Sequence, residues 1–439
     1  MSAAATASRG RVETRTLIAL LVSLPVILWM ASEFDMDLFM AFVLWVLIVL
    51  RVVMHENRAV ARGTIVALGA WAIILPFFQD ATGGFIEDAI LALAYTTFAL
   101  GLNIIVGFAG LLDLGYVAFF ALGSLTAGWF MSGFFSGAGG GEGWSLLVGE
   151  PASTLPGIHM NFLLVIVIAV VVTTIAGILI GLPTLRLRGD YIAIVTLAFG
   201  EIIYRVVLNG DEIKIGGEQL TNGRQGITPI DKIDLPFLEP FQSLELRPWY
   251  FVALALVLIA LFVNYRLRDS RLGRAWIALR EDEVAAASMG VPLVKTKLLA
   301  YGTGAAFGGV GGAFLASYLN TVNADQFAFS FSIFVLAMVI LGGIASIEGV
   351  VLGAIVLSFI NNNLIPDVFN DYPSKVGLDF DLTELSFGIF GFLLVIMMVL
   401  RPEGLIPERR RKMELTEHVG AGATTGVGEP EERTIEARA

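Results

Sequence analysis

Tyr250-Phe-Val-Ala-Leu-Ala-Leu-Val-Leu-Ile-Ala-Leu-Phe-Val-Asn-Tyr265 carries no charge and runs straight into Arg266-Leu-Arg-Asp-Ser-Arg-Leu-Gly-Arg274. In lipid such a run satisfies its backbone hydrogen bonds only as a helix, and about 20 apolar residues cross a bilayer. The arginines at its end add direction. Cationic connections are retained on the cytoplasmic side, so a span that stops in a basic cluster reports which way it points.

Working outward, apolar runs recur from Leu17 to Leu400, and 20 of the 28 basic residues fall into alternate connections. One side holds Arg9, Arg11 and Arg15; Arg51, Arg58 and Arg62; and Arg186 and Arg188. The same side holds Arg266, Arg268, Arg271, Arg274, Arg280, Lys295 and Lys297, then Arg401, Arg409, Arg410, Arg411 and Lys412. Acidic residues gather in the opposite connections (Asp80, Glu87, Asp88, Asp211, Glu212, Asp367, Asp371, Asp379, Asp381) and in the tail. The pattern predicts an all-α polytopic membrane protein with both termini in the cytoplasm.

Composition agrees. Hydrophobic residues make up 56% and charged residues 15% of 439 positions, where a soluble domain carries about 25% charged residues. The formal net charge of -11 belongs to loops and tail, a distribution that argues against nucleic acid as a partner. With no cysteine, disulfides, thiolate metal sites and cysteine nucleophiles are excluded. His55, His159 and His418 lie in three different connections, so neither a metal set nor a general base emerges, and no cofactor is implied.

Length predicts about twelve crossings. They are Leu17–Ala31, Leu38–Met54, Thr64–Phe78, Ala89–Val106, Leu111–Met131, Phe162–Gly181, Tyr191–Leu208, Tyr250–Tyr265, Leu293–Ser317, Phe329–Ile344, Val350–Asn363 and Leu385–Leu400. No small-residue cleavage site follows Trp29 and Met30, so the first reads as an anchor and not a removed leader. Residues 1–88 form an N-terminal extension with about three crossings, 89–405 the core, and 406–439 a basic stretch followed by a disordered acidic tail. Ser132 to Met160, rich in glycine, reads as a flexible outward loop. Asn209 to Pro248, with turns at Gly216-Gly217 and Asn222-Gly223, is expected to pack on the outer face.

The long basic connection contains a predicted short helix. Glu281, Asp282 and Glu283 put negative charge on its first turn, where unpaired N–H groups favour anions. Gly290 suits the position just past its end, and Pro292 prevents continuation. Its alanine face would let another protein approach closely, although a plain amphipathic connector has the same pattern.

The run Arg271-Leu-Gly-Arg-Ala-Trp-Ile-Ala-Leu-Arg-Glu-Asp-Glu-Val-Ala-Ala-Ala-Ser-Met-Gly290 resembles the coupling segment of branched-chain amino-acid ABC transporter permeases, in particular the longer, LivM-type subunit. The likeness includes Ala99-Leu-Gly-Leu-Asn-Ile-Ile-Val-Gly-Phe-Ala-Gly110 and Leu185-Arg-Leu-Arg-Gly-Asp-Tyr-Ile-Ala-Ile-Val-Thr-Leu-Ala-Phe-Gly-Glu201. It extends to Ile340-Leu-Gly-Gly343 and Arg401-Pro-Glu-Gly-Leu405. The resemblance implies that this chain is a non-enzymatic transport subunit for leucine, isoleucine and valine in a bacterial or archaeal plasma membrane. The implied partners are two ABC ATPase subunits, a second, shorter LivH-like permease and an extracytoplasmic substrate-binding protein. It further implies that Glu281, Asp282, Glu283, Ala285, Ala286 and Gly290 couple to the ATPase. Val284 after Glu283 departs from the Glu-Ala-Ala order of other ABC importers. Gly216-Gly-Glu-Gln-Leu-Thr-Asn-Gly-Arg-Gln-Gly-Ile227 lengthens a compact family turn and lacks its proline.

No Gly-x-x-x-x-Gly-Lys-Ser/Thr loop occurs, so ATP would be bound by another subunit. Gly304, Gly308 and Gly312 recur at the four-residue spacing that packs helices closely in lipid. Two Gly-interrupted turns, Gly107–Gly115 and Gly342–Gly349, are candidates for broken helices beside a transport path, or for tight hairpins. Asn103, Thr196 and Glu201 are the candidate path residues; for Glu201 a neutralised pair with Arg205, four residues on, is the favoured reading. A urea or amide importer would share this architecture, though the Leu185-to-Tyr191 block argues against it. An ion-coupled transporter would need neither an ATPase nor the 281–290 helix.

Overall fold

The computed structural model describes residues 71–406 apart from 79, 81, 138–140, 149–155, 186, 188–190, 216, 235–240, 370–384 and 402, together with positions 27, 41, 45 and 69. The first two predicted crossings apart from positions 27, 41 and 45, the first part of the third, Arg186, Arg188 and the tail therefore lie outside the described residues.

The chain is a helical bundle. In order, its helices are α1 (Gly84–Leu102), α2 (Val117–Phe130), α3 (Phe162–Thr184), α4 (Tyr191–Leu208) and α5 (Leu246–Arg268). They continue with α6 (Arg271–Glu281), α7 (Glu283–Ser288), α8 (Leu293–Leu319), α9 (Phe329–Gly342), α10 (Ile347–Phe359) and α11 (Ser386–Leu400). Two π-helical segments, Asn103–Phe108 and Ile360–Phe369, extend α1 and α10. Among the described residues six helices are long and apolar enough to cross a membrane, and three shorter apolar helices accompany them. These occupy the nine predicted crossings from Ala89 onward.

α8 is the axis of the bundle and packs against α3, α2 and α1. The glycine stripe does what its spacing predicts. A Cβ at Gly304 would press on Ile105, one at Gly308 on Phe119, and one at Gly312 on the Phe120 carbonyl and the Ser124 nitrogen. Side chains there would push the helices apart. Tyr116 Oη donates to Gly304 O (3.1 Å) and Ser124 Oγ to Gly312 O (3.0 Å), so the close approach also satisfies buried hydroxyls.

Two connections and one helix start hold structure that the sequence did not predict. The glycine-rich 132–160 loop contains a sheet of β1 (Met131–Ser132), β2 (Trp144–Leu146) and β3 (Ile158–Met160), with β3 between an antiparallel β1 and a parallel β2. It is pinned by a buried hydrogen bond between His159 Nδ1 and Asp231 Oδ2, 2.7 Å apart. The 209–248 connection packs on the same end, as expected: Ile227 bridges Val322 and Ser317 Oγ donates to Asp231 O (2.8 Å). Its lengthened family turn is a hairpin of β4 (Lys214–Ile215) and β5 (Glu218–Gln219). The crossing predicted from Leu111 begins as a helix only at Val117. Gly110 has φ +69°, and Asp113 Oδ1 accepts from Gly115 N (2.8 Å), a local turn that competes with helix.

The described arginines and lysines of the 266–297 connection lie at the opposite end. There α6 and α7 meet the end of α1 and the start of α8, while residues 403–406 pack on the α9–α10 turn, where Leu405 N donates to Leu341 O (2.8 Å).

Candidate functional site

Residues 270–291 form a two-helix arm on the basic end. Ser270 Oγ caps α6 by accepting from Gly273 N (3.1 Å). Gly273, Trp276 and Leu279 share one buried face. Trp276, fully buried, donates from Nε1 to Thr296 O at the start of α8 (2.9 Å), anchoring the arm to the bundle axis.

The helix predicted from Glu281 starts at Glu283, two residues later. Glu281 ends α6, and Asp282 is extended (φ −155°, ψ 110°). Its carboxylate accepts from Val284 N (2.8 Å) and Ala285 N (2.9 Å), restarting the chain as α7. An aspartate at this place satisfies two orphan donors and complements the positive helix end. α7 closes as the sequence predicts: Gly290 N donates to Ala287 O and Val291 N to Ala286 O, both at 3.0 Å, with Gly290 at φ +87°.

The candidate residues divide by direction. Ala286 is buried against the body, and Glu283 Oε1 lies 2.7 Å from Nζ of Lys297, a side chain only 3% exposed. Asp282, Ala285 and Gly290 are exposed, as is Glu281. Two further residues stand out: Val284 is 63% and Met289 85% exposed. Sequence reasoning passed over them. The signal available was a large apolar side chain at each end of an otherwise small, alanine-rich helix between polar segments.

Asn103 and Thr196 are fully buried and do related jobs. Asn103 Oδ1 accepts from Ala345 N (3.0 Å), so the first Gly-interrupted turn is tied to the second. Thr196 Oγ1 accepts from Leu114 N (3.0 Å), holding the irregular segment ahead of α2. Each supplies an acceptor to backbone that has left its helix. Asn103 Nδ2 and Asp113 Oδ2 are buried without a hydrogen-bond partner among the described residues.

Glu201 lies elsewhere. It pairs with Arg205 as its i,i+4 spacing predicts (Nε to Oε1, 2.8 Å), with the side chains 41% and 64% exposed. Exposed positions of α3 such as Val167, Val171, Ile175 and Leu179 are all apolar. α4 instead presents an ion pair between Ile194 and Ile202 on one side and Asn209 on the other. Among the described residues no group of three His, Asp or Glu would hold a metal.

Comparison with known proteins places this geometry in a family. The pattern described as branched-chain amino acid transport system / permease component matches residues 85–398. The chain is 36% identical over 378 residues to the high-affinity branched-chain amino acid transport system permease protein LivM of Escherichia coli K12, covering 82% of this chain and 78% of that protein. It is 26% identical over 329 residues to the probable branched-chain amino acid transport permease protein LivM of Methanocaldococcus jannaschii, covering 72% of this chain and 91% of that protein. A weaker likeness, 26% over 158 residues, links 36% of this chain to 46% of the permease protein LivH of Escherichia coli K12. No solved structure matches. A bundle of apolar helices carrying this pattern through most of its length is a multi-pass membrane protein, and the chain belongs to the branched-chain amino acid transport system permease component family, in its LivM-type branch.

Proposed function

We propose that this chain is one permease half of an ATP-driven importer of branched-chain amino acids. The observation that carries the reading is the α6–α7 arm: capped at both ends, anchored on α8, and exposing Val284 and Met289 beyond the bundle. An arm of that build suits insertion into a groove of a separate ATPase subunit, and this chain has no phosphate loop of its own. Val284 and Met289 fill the groove, Asp282, Ala285 and Gly290 border it, and Glu283 and Ala286 brace α7 from behind. Glu281 lies at the joint with α6.

The full assembly contains a second, LivH-like permease, two ABC ATPases and an extracytoplasmic binding protein that docks on the β1–β5 face. About twelve crossings, three of them in residues 1–88, leave both termini and the 406–439 tail in the cytoplasm of a bacterium or archaeon. The α4 face that bears Glu201 and Arg205 lines the path against the second permease, with Asn103 and Thr196 holding the segments behind it. Charge on a lipid face would cost at least about 2.5 kcal/mol, which favours protein or water there.

Purification of the native complex tests the reading. An ATPase and a second permease should co-purify, and reconstituted vesicles should take up labelled leucine when ATP is inside. Competition by isoleucine and valine, but not urea, is expected. Absence of the ATPase, or uptake by this chain alone, would overturn the proposal.

A further inference from the structure

The arm touches the membrane bundle at a second place, and that contact has a form that packing alone does not require. α1 ends in the π-helical segment Asn103–Phe108, a widened geometry that recurs at functional sites. Ala109 N and Leu111 N satisfy the carbonyls of Ile104 and Ile105 (3.2 and 3.0 Å). The Gly107 carbonyl, at the negative end of the helix, receives Arg280 Nη1 from α6 at 2.7 Å. A guanidinium is suited to this place twice over: it donates to an orphan carbonyl and its charge opposes the dipole.

The fit is close on the stem as well as at the tip. Gly110, at φ +69°, has the Cγ and Cβ of Arg280 where its own Cβ would stand, so α6 lies directly on the turn that ends α1. One turn earlier in the same π segment, Asn103 Oδ1 holds Ala345 N, and Ala345 itself sits at φ +68° in the α9–α10 turn. Asn103 Nδ2 remains a buried donor without a partner among the described residues. An unsatisfied donor beside irregular backbone calls for an explanation, and a second hydrogen-bonding arrangement would supply one.

We infer that Arg280 is the positioning residue that carries motion of the α6–α7 arm into the bundle, acting on the π segment Asn103–Phe108 and, through Asn103, on the α9–α10 turn. The inference rests on the importer reading above and adds its internal linkage. Trp276 and Lys297 tie the arm to α8, the close-packed axis. Arg280 ties it to a spanning-helix end that is both π-helical and bonded to a second irregular turn.

The experiment uses the complete transporter in proteoliposomes, with Arg280→Ala, Arg280→Lys and Asn103→Ala, and reads leucine accumulated per ATP hydrolysed. Arg280→Ala should retain the ATPase on purification and hydrolyse ATP within about twofold of wild type. Its uptake per ATP should fall roughly tenfold, the scale of one charge-assisted hydrogen bond. Arg280→Lys keeps a cation but loses the fork and should fall between the two, and Asn103→Ala should reproduce the Ala phenotype. Should Arg280→Ala fail to accumulate, Arg280→Lys and Asn103→Ala decide. A normal coupling ratio in the variants that assemble overturns the inference. So does a parallel loss of hydrolysis and uptake, which marks a merely structural cap. Loss of the ATPase from Arg280→Ala also overturns it, by making Arg280 a docking residue. If wild type itself retains no ATPase, the importer reading fails instead.

Discussion

α7 and α8 are joined by four residues, Met289 to Pro292, and each depends on glycine, for opposite reasons. Gly312 of α8 is needed for space: its missing side chain lets the Phe120 carbonyl and Ser124 of α2 reach the helix backbone. Gly290, which ends α7, has nothing within 4 Å of where a Cβ would be, but sits at φ +87°. One glycine buys proximity between helices and the other a backbone angle. The first kind builds a rigid axis, and the second ends a short arm cleanly at the edge of that axis. Substitutions should separate the two by size and by reach.

The largest effect is expected for Gly312→Leu. With backbone on the opposing side, overpacking should cost about 3 kcal/mol or more, seen as a lower melting temperature and less protein in the membrane. Next comes Glu283→Ala, which leaves the Lys297 ammonium buried without its partner. A loss of about 2 kcal/mol is expected, and Lys297→Met in the same background should restore part of it, readable as a double-mutant cycle. Gly290→Ala should cost about 1 kcal/mol for placing a Cβ at positive φ. Hydrogen exchange should speed up across 283–291 alone, with the melting temperature nearly unchanged. Asp282→Ala removes the cap of α7 for a similar or smaller loss, about 1 kcal/mol, in the same local segment. Smallest in stability is Met289→Ser: exposed as that side chain is, the fold should not respond, while retention of the ATPase should drop. If Gly290→Ala destabilised the whole bundle, or Gly312→Leu only α7, the distinction between the two glycines would fail.

Much of the bundle was legible in order. All nine predicted crossings from Ala89 have their helix, because an apolar run in lipid has one way to satisfy its backbone. The i,i+4 pairing of Glu201 with Arg205 and the closure at Gly290 were legible too, since both depend on neighbours in sequence. The break at Asp282 was not, because acidic residues at a helix start and a cap between two helices look alike in one dimension. Nor was the sheet inside 132–160, whose partners are brought together by Asp231, seventy-odd residues away from His159.

The sequence by itself determined that this protein lives in a membrane, where its described helices begin and end to within about two turns, and which family it resembles. These follow from transfer energies, charge placement and local backbone rules, all written residue by residue. Only the tertiary structure decided that Asn103 holds Ala345, that Arg280 caps the end of α1, and that Ala286 turns inward while Val284 and Met289 face out. Those choices depend on which surfaces meet, and a lipid-soluble helix carries no local record of its neighbour because lipid and protein interior are about equally apolar.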